Sequence, residues 1–324
     1  MGPARGTLLT QQSFELVVSA GFQHGGSVGS WPEQAVPAMT ELWRERPVGI
    51  VGLGLIGGSL ALDLRAHGAR VHALVHRQTT AQRAIERGLA DRIATDSQVL
   101  VDCDLVVLAL PLDRLLNPAP ALLEALPAGA VLTDVGSVKA PVLDRWQPLW
   151  PRFVAGHPMA GTALAGVEAG QRELFKGRPW VATPAAETDP EALEQVKALA
   201  EVVGARWITC AAAAHDRAVA LISHLPVLVS AALLLAADHA APDPELAGLV
   251  RALASSGFAD TTRVGGGNPE LGTLMATHNQ AALGEALLAY GQQLGALQAL
   301  VQQGRFDQLE ASLRLAQELR PPFL

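Results

Sequence analysis

The chain has 324 residues, 49% of them hydrophobic, enough to bury a sizeable core and to divide into two domains. A net charge of −7 excludes nucleic acid and anionic membrane as expected partners, because both need clustered Lys and Arg. The two cysteines, Cys103 and Cys210, lack metal-ligand spacing and a nearby nucleophile pattern, so they read as small buried hydrophobes in a reducing cytoplasm.

Residues 1–46 are rich in Gly, Ser and Gln without a sustained apolar period and are expected to be a loosely ordered extension. Leu8-Leu9 runs at once into Thr10-Gln11-Gln12-Ser13, so no export signal is expected. Met39 offers a second start just ahead of the first strand. Val48-Gly49-Ile50-Val51 is an apolar strand that enters Gly52-Leu53-Gly54-Leu55-Ile56-Gly57, a Gly-X-Gly-X-X-Gly turn. Gly52 suits the tight turn, Gly54 lets backbone approach a pyrophosphate, and Gly57 permits close helix packing. With Leu55 and Ile56 opening the helix beside them, these glycines are the expected cofactor contacts. The helix is predicted over residues 59–67, stopped by Gly68.

The returning strand reads Arg70 to Thr80 and contains no acid to bind a ribose 2′-hydroxyl. Arg77 stands in that region, and its guanidinium suits a 2′-phosphate, which points to NADP. Gln78 and Thr80 beside it are further expected contacts. The alternative for Arg77 is a solvated charge at a strand end.

Strand and helix patterns alternate from Val48 to about Cys210, the mark of a doubly wound parallel sheet. The later strands are predicted at residues 105–110, 130–134, 153–156, 180–183 and 206–209. Pro111 and Gly136-Ser137 follow two of them, at the carboxyl ends where open α/β sheets bind ligands. From Ala211 the chain turns to long Ala- and Leu-rich stretches with no strand pattern, hence an all-α second domain. Residues 218–237 are apolar enough to suggest a membrane span, yet Ser223, His224, Pro226 and Ser230 interrupt them. They are read as a helix buried on all sides, part of it against a second subunit. Helices over residues 283–300 and 306–319 complete the bundle. The expected organisation is an extension (1–46), a Rossmann-like dinucleotide-binding domain (47–210) and a helical substrate-binding and dimerisation domain (211–324).

Gly156-His157-Pro158-Met159-Ala160-Gly161 follows a strand and is read as a small-residue turn that brings an imidazole close to a ligand. Standing alone, such a histidine is more often a local hydrogen-bonding residue than a catalyst. Three more segments stand out: Asp134 to Lys139, Ile222-Ser223-His224-Leu225-Pro226, and Gly257 to Pro269.

On these segments residues 48–300 resemble the prephenate and arogenate dehydrogenases, and within them the cyanobacterial-type arogenate dehydrogenases that use NADP. The resemblance implies oxidative decarboxylation of L-arogenate to L-tyrosine, with hydride passing from the ring carbinol to the nicotinamide and no metal required. It assigns His157 as the group that accepts a hydrogen bond from the ring hydroxyl. Ser137 orients hydroxyl, His157 and nicotinamide; its bland alternative is a helix cap. Arg263 clamps a substrate carboxylate, with His224 and Gly267 as further substrate contacts. The alternatives are an Arg263–Asp260 surface ion pair and a core role for His224.

Two departures from the family pattern matter. Val227 stands where prephenate-using relatives tend to carry a second histidine, which favours arogenate over prephenate. Ala259 replaces an arginine, so more of the carboxylate binding falls to Arg263. Prephenate oxidation with NAD(P) and a non-catalytic NADP-binding redox sensor are the competing readings. The β-hydroxyacid dehydrogenases share the architecture but need a lysine from the helical part, and the last lysine here is Lys197.

Overall fold

The computed structural model describes residues 43–162, 164–241 and 243–323; most of the expected N-terminal extension lies outside them. Trp43, at the start, is buried in the core, and its carbonyl accepts the Arg70 amide at 2.9 Å. The first nine strands and six helices form the nucleotide-binding region. Strands β1 (Val48–Val51), β4 (Leu105–Leu108) and β5 (Val131–Asp134) are buried along their whole length, as continuous apolar runs must be when helices cover both faces of a parallel sheet. β2 (Val71–Leu74), β3 (Arg92–Ala94) and β6 (Phe153–Val154) complete it in the order β3-β2-β1-β4-β5-β6, all pairs parallel. This is the doubly wound dinucleotide-binding order, with its ligand crevice where the order reverses between β1 and β4.

The helices on this sheet are α1 (Leu55–Ala66), α2 (Gln78–Glu86), α3 (Leu112–Leu116), α4 (Pro120–Ala125), α5 (Ala140–Trp146) and α6 (Pro190–Val202). Two apolar clusters form the core on the two sides of the sheet; Leu60, Leu64 and Val196 belong to one, Leu132, Val142 and Trp146 to the other. Each such fully buried aliphatic side chain contributes roughly 1.5–3 kcal/mol relative to exposure.

The expected single parallel sheet does not continue to Cys210. It ends at β6, and β7 (Gly156–Pro158), β8 (Pro179–Ala182) and β9 (Arg206–Thr209) form a separate three-stranded sheet in which β7 and β8 are antiparallel. The predicted strand 153–156 is therefore two short strands, and His157 lies on β7 rather than in a turn. Gly156 explains the break: a Cβ there would sit 2.9 Å from both the Asp134 carbonyl oxygen and Thr133 Oγ1. Only a bare backbone passes so close to the end of β5 while changing sheets.

After Cys210 every regular element is helical, from α7 (Ala212–Val219) through α8 (Leu225–His239), α9 (Pro244–Leu253), α10 (Ser256–Thr262), α11 (Pro269–His278), α12 (Gln280–Gln302) and α13 (Phe306–Leu319). Between α7 and α8 the helix widens into a π segment, Ala220–His224, in which the Leu225 amide bonds the Ala220 carbonyl. Pro226 is the cause, since it has no amide to give and its ring crowds the carbonyl four residues back. The helix expected to be buried on all sides, part of it against a second subunit, is mostly exposed in the single chain. Residues 212–239 are long and apolar enough to cross a membrane by length and composition, yet only 28% of their most apolar window is buried.

Candidate active site

The glycine turn has the shape a dinucleotide needs. Gly52 adopts φ +98°, and a Cβ on it would lie 2.4 Å from the Ala109 carbonyl oxygen. A Cβ on Gly57 would lie 2.0 Å from the Gly52 carbonyl oxygen, so α1 packs on the turn only because both residues lack side chains. Over Gly54 there is open space. The first turn of α1 contains no acid and no side-chain cap, leaving the amides that include Leu55 and Ile56 to meet an anion. These features fit a pyrophosphate.

Arg77 is exposed just past β2, its Nε donating to His76 Nε2 at 3.1 Å. Gln78 is exposed and Thr80 half-buried on the first turn of α2, while Pro111 is exposed at the end of β4. All lie on the carboxyl-end side of the sheet.

Beside the same edge the chain assembles a buried polar cluster. Asp134, the last residue of β5, accepts the Gly136 amide at 2.7 Å and the Gly156 amide at 3.1 Å. Its carboxylate also meets Lys139 Nζ at 2.5 Å, and that ammonium donates to the Gly156 carbonyl at 2.6 Å. Both side chains are fully buried. Lys139 and Asp134 thus fix where β7 starts and where His157 projects.

His157 is buried, and its Nδ1 lies 2.8 Å from His215 Nε2. His215 Nδ1 in turn lies 2.8 Å from Asp216 Oδ1. The same carboxylate accepts the amides of Lys139 at 2.7 Å and Ala140 at 2.8 Å, so a residue of α7 caps a helix of the first region and clips the two regions together. Asn279 Nδ2 donates to the Asp216 carbonyl at 2.8 Å and lies 3.2 Å from His224 Nδ1. His224 Nε2 is buried with no hydrogen-bond partner among the described residues.

The electrostatics keep His157 and His224 neutral. Burial, followed by the neighbouring His215, Lys139 and His224, holds His157 well below the ordinary histidine value. Burial likewise pushes His224 down to about 4, against a raising influence from Asp216. For Asp216, burial alone would raise the carboxyl, but hydrogen bonds from His215 and the two amides outweigh it and hold it below its usual value. Burial lowers Lys139, opposed by Asp134.

The structure thus brings His157 and His224 into one polar cluster through His215, Asp216 and Asn279. The sequence reading did not single out His215, Asp216 or Asn279. Ser137 is half-buried in the bend before α5, two residues from Lys139; it is not the helix cap, a role Asp216 fills from across the junction. Arg263 ends α10 and is exposed, with no ion pair to Asp260 or any other acid among the described residues. Its loop is pinned where the Gly265 amide donates to Ser230 Oγ at 2.8 Å, and Gly267 follows, also exposed. No hydrogen bond or ion pair among the described residues ties Arg263 or Gly267 to the histidine cluster.

Comparison with known proteins places this arrangement. Residues 60–209 match the nucleotide-binding domain of prephenate dehydrogenase and residues 211–315 its dimerization domain. The prephenate dehydrogenase of Bacillus subtilis is 30% identical over 283 residues, which cover 84% of this chain and 74% of that protein. The arogenate dehydrogenase structure from Synechocystis shares 41% identity with a TM-score of 0.72, spanning 86% of this chain and 99% of its own. The prephenate dehydrogenase of Aquifex aeolicus, solved with hydroxyphenyl propionate and NAD+, shares 29% identity with a TM-score of 0.79 over 86% of this chain and 98% of its own. Matched in order along both its regions, the chain belongs to the prephenate dehydrogenase family of oxidoreductases, within which the arogenate and cyclohexadienyl dehydrogenases also fall.

Proposed function

We propose that the protein catalyses the NADP-linked oxidative decarboxylation of L-arogenate to L-tyrosine, as a homodimer in the cytoplasm, with residues 47–210 binding the dinucleotide and 211–324 the substrate and the second subunit. The observation that carries the reading is a neutral, buried His157 held at the carboxyl edge of a dinucleotide-shaped sheet. Removing hydride from a ring carbinol builds positive charge on carbon, and a neutral imidazole takes the hydroxyl proton as that charge develops. When bound, the nicotinamide dinucleotide supplies the hydride acceptor. The ring carbon to carboxylate bond then breaks, its electron pair completes the aromatic ring, and His157 returns its proton to the ring oxygen, which leaves as a phenol.

Ser137 orients the hydroxyl, and Arg263, with Gly267 and His224, receives the substrate. A planar, permanently charged guanidinium on an exposed loop suits a carboxylate. Arg77 without an acid nearby supports NADP over NAD, and Val227 supports arogenate over prephenate. The second subunit covers the apolar face of the helical region, whose match is to a dimerization domain. NADPH formation measured side by side with arogenate and prephenate tests the reading: arogenate is expected to be the better substrate by kcat/KM. Equal or better turnover of prephenate overturns the preference, and turnover of neither leaves the redox-sensor reading standing.

A further inference from the structure

We propose that His215, held by Asp216, is a positioning residue that sets the tautomer of His157, so that His157 carries its hydrogen on Nδ1 and presents a bare Nε2 to the substrate hydroxyl. This rests on the reading of His157 as the base, but its geometry is independent of substrate and cofactor. Asp216 already accepts two backbone amides, 2.7 Å from Lys139 and 2.8 Å from Ala140. A carboxylate so placed has only lone pairs to offer, so the 2.8 Å contact to His215 requires the hydrogen on His215 Nδ1. A neutral His215 then has a lone pair on Nε2, which faces His157 Nδ1 at 2.8 Å. Two nitrogens that close need one hydrogen between them, and it belongs to His157. The reactive nitrogen is what remains.

Nitrogen-15 NMR of histidine-labelled protein, without substrate or cofactor at neutral pH, tests the tautomer directly. The His157 resonances, assigned by comparison with His157→Asn, are expected to show a protonated Nδ1 and a bare Nε2; a protonated Nε2 overturns the proposal. Kinetics of two variants give a second reading. In His215→Gln the amide oxygen can accept from His157 Nδ1 while the amide nitrogen donates to Asp216, so kcat is expected to stay within about fivefold of the parent. His215→Leu lacks both groups and is expected to lose roughly 10- to 100-fold in kcat with KM within about twofold. Equal losses in the two variants overturn the positioning role. If His157→Asn instead keeps its turnover, the base reading falls while the NMR result still decides the tautomer.

Discussion

Before Cys210 the interior is apolar: both core clusters of buried residues lie there, and the strands of the large sheet are wrapped on both faces. After Cys210 the inside is mixed: Val219, Ala220, Met275, Leu283 and Ala286 are buried beside the polar His215, Asp216, His224, Ser230, Thr262 and Asn279, whereas Leu221, Leu235, Leu253, Leu288 and Leu294 are more than half exposed. The first region is a finished fold that holds a cofactor-shaped turn; the second, taken as one chain, has its apolar faces outside and spends its burial on the groups around His157. A helical region built this way suits the proposed pairing with a second copy, and it docks on the first region through polar contacts together with the packing of Leu274 against that region's core.

Breaking the exposed apolar face gives the largest expected effect. Leu288 is 66% exposed and Leu235 56% exposed, so in a lone chain the double substitution Leu235→Asp, Leu288→Asp costs little. In a dimer it buries two carboxylates per subunit, and unpaired buried charges are not tolerated. Analytical ultracentrifugation is expected to show the parent at twice the chain mass and the variant at the single-chain mass. A parent that sediments as one chain would remove the contrast between a finished and an unfinished region.

His157→Asn tests the seam between the regions. The asparagine keeps a hydrogen-bonding group but no base, and steady-state kinetics should show kcat lowered by roughly 10²- to 10⁴-fold with little change in KM, the pattern of an interaction made in the transition state. Arg263→Ala tests the helical side alone. A lost carboxylate clamp should raise KM by about 10-fold or more, in line with the roughly 1.5–3 kcal/mol of a charged hydrogen bond, and leave kcat nearly unchanged. Unchanged saturation would return Arg263 to the solvent.

The buried polar groups after Cys210 should also be visible as acid sensitivity. His224 titrates near 4 when folded against 6.5 in its reference state, so the unfolded chain binds the proton first. Stability is therefore complete above pH 6.5 and falls as pH drops towards 4, by about 3 kcal/mol for this group at 1.36 kcal/mol per pH unit. His157 moves in the same direction. Urea unfolding at fixed protein concentration should show His224→Gln losing about 3 kcal/mol less than the parent between pH 7 and pH 4.

What the sequence made legible follows the same division. The turn at Gly52, Gly54 and Gly57 is readable because its backbone geometry admits no other residues, and the apolar runs of β1, β4 and β5 need burial on both faces. His157 stands out through the small residues around it, but as part of a turn, not of the strand it occupies. The switch to a second sheet at Gly156 is not, because its cause is a close approach to β5, 22 residues earlier in the chain. His215 and Asp216 sit in Ala211-Ala212-Ala213-Ala214-His215-Asp216-Arg217, which reads as an ordinary exposed helix start; only the fold carries them to His157. The single local signal was a paired imidazole and carboxylate at the first helix past the domain junction. The π segment has a trace in Pro226, which no regular helix through residues 218–237 accommodates without a break.

The smallest expected effect lies in the finished region and asks whether its surface can be altered without touching anything else. Arg77 is exposed, caps no helix through its side chain, and that side chain hydrogen-bonds to His76 alone among the described residues. Arg77→Asp replaces a fork suited to a 2′-phosphate by a carboxylate suited to a 2′-hydroxyl. The change repels the phosphate and offers the hydroxyl an acceptor, so the NADP to NAD ratio in kcat/KM should fall by about 10-fold or more, given that charged hydrogen bonds contribute roughly 1.5–3 kcal/mol each. Because the side chain bears no packing load, the thermal midpoint should stay where it was. A variant that still favours NADP would move cofactor selection to Gln78, Thr80 or the turn at Gly54, and a variant that melts early would show that this region, too, relies on contacts at its surface.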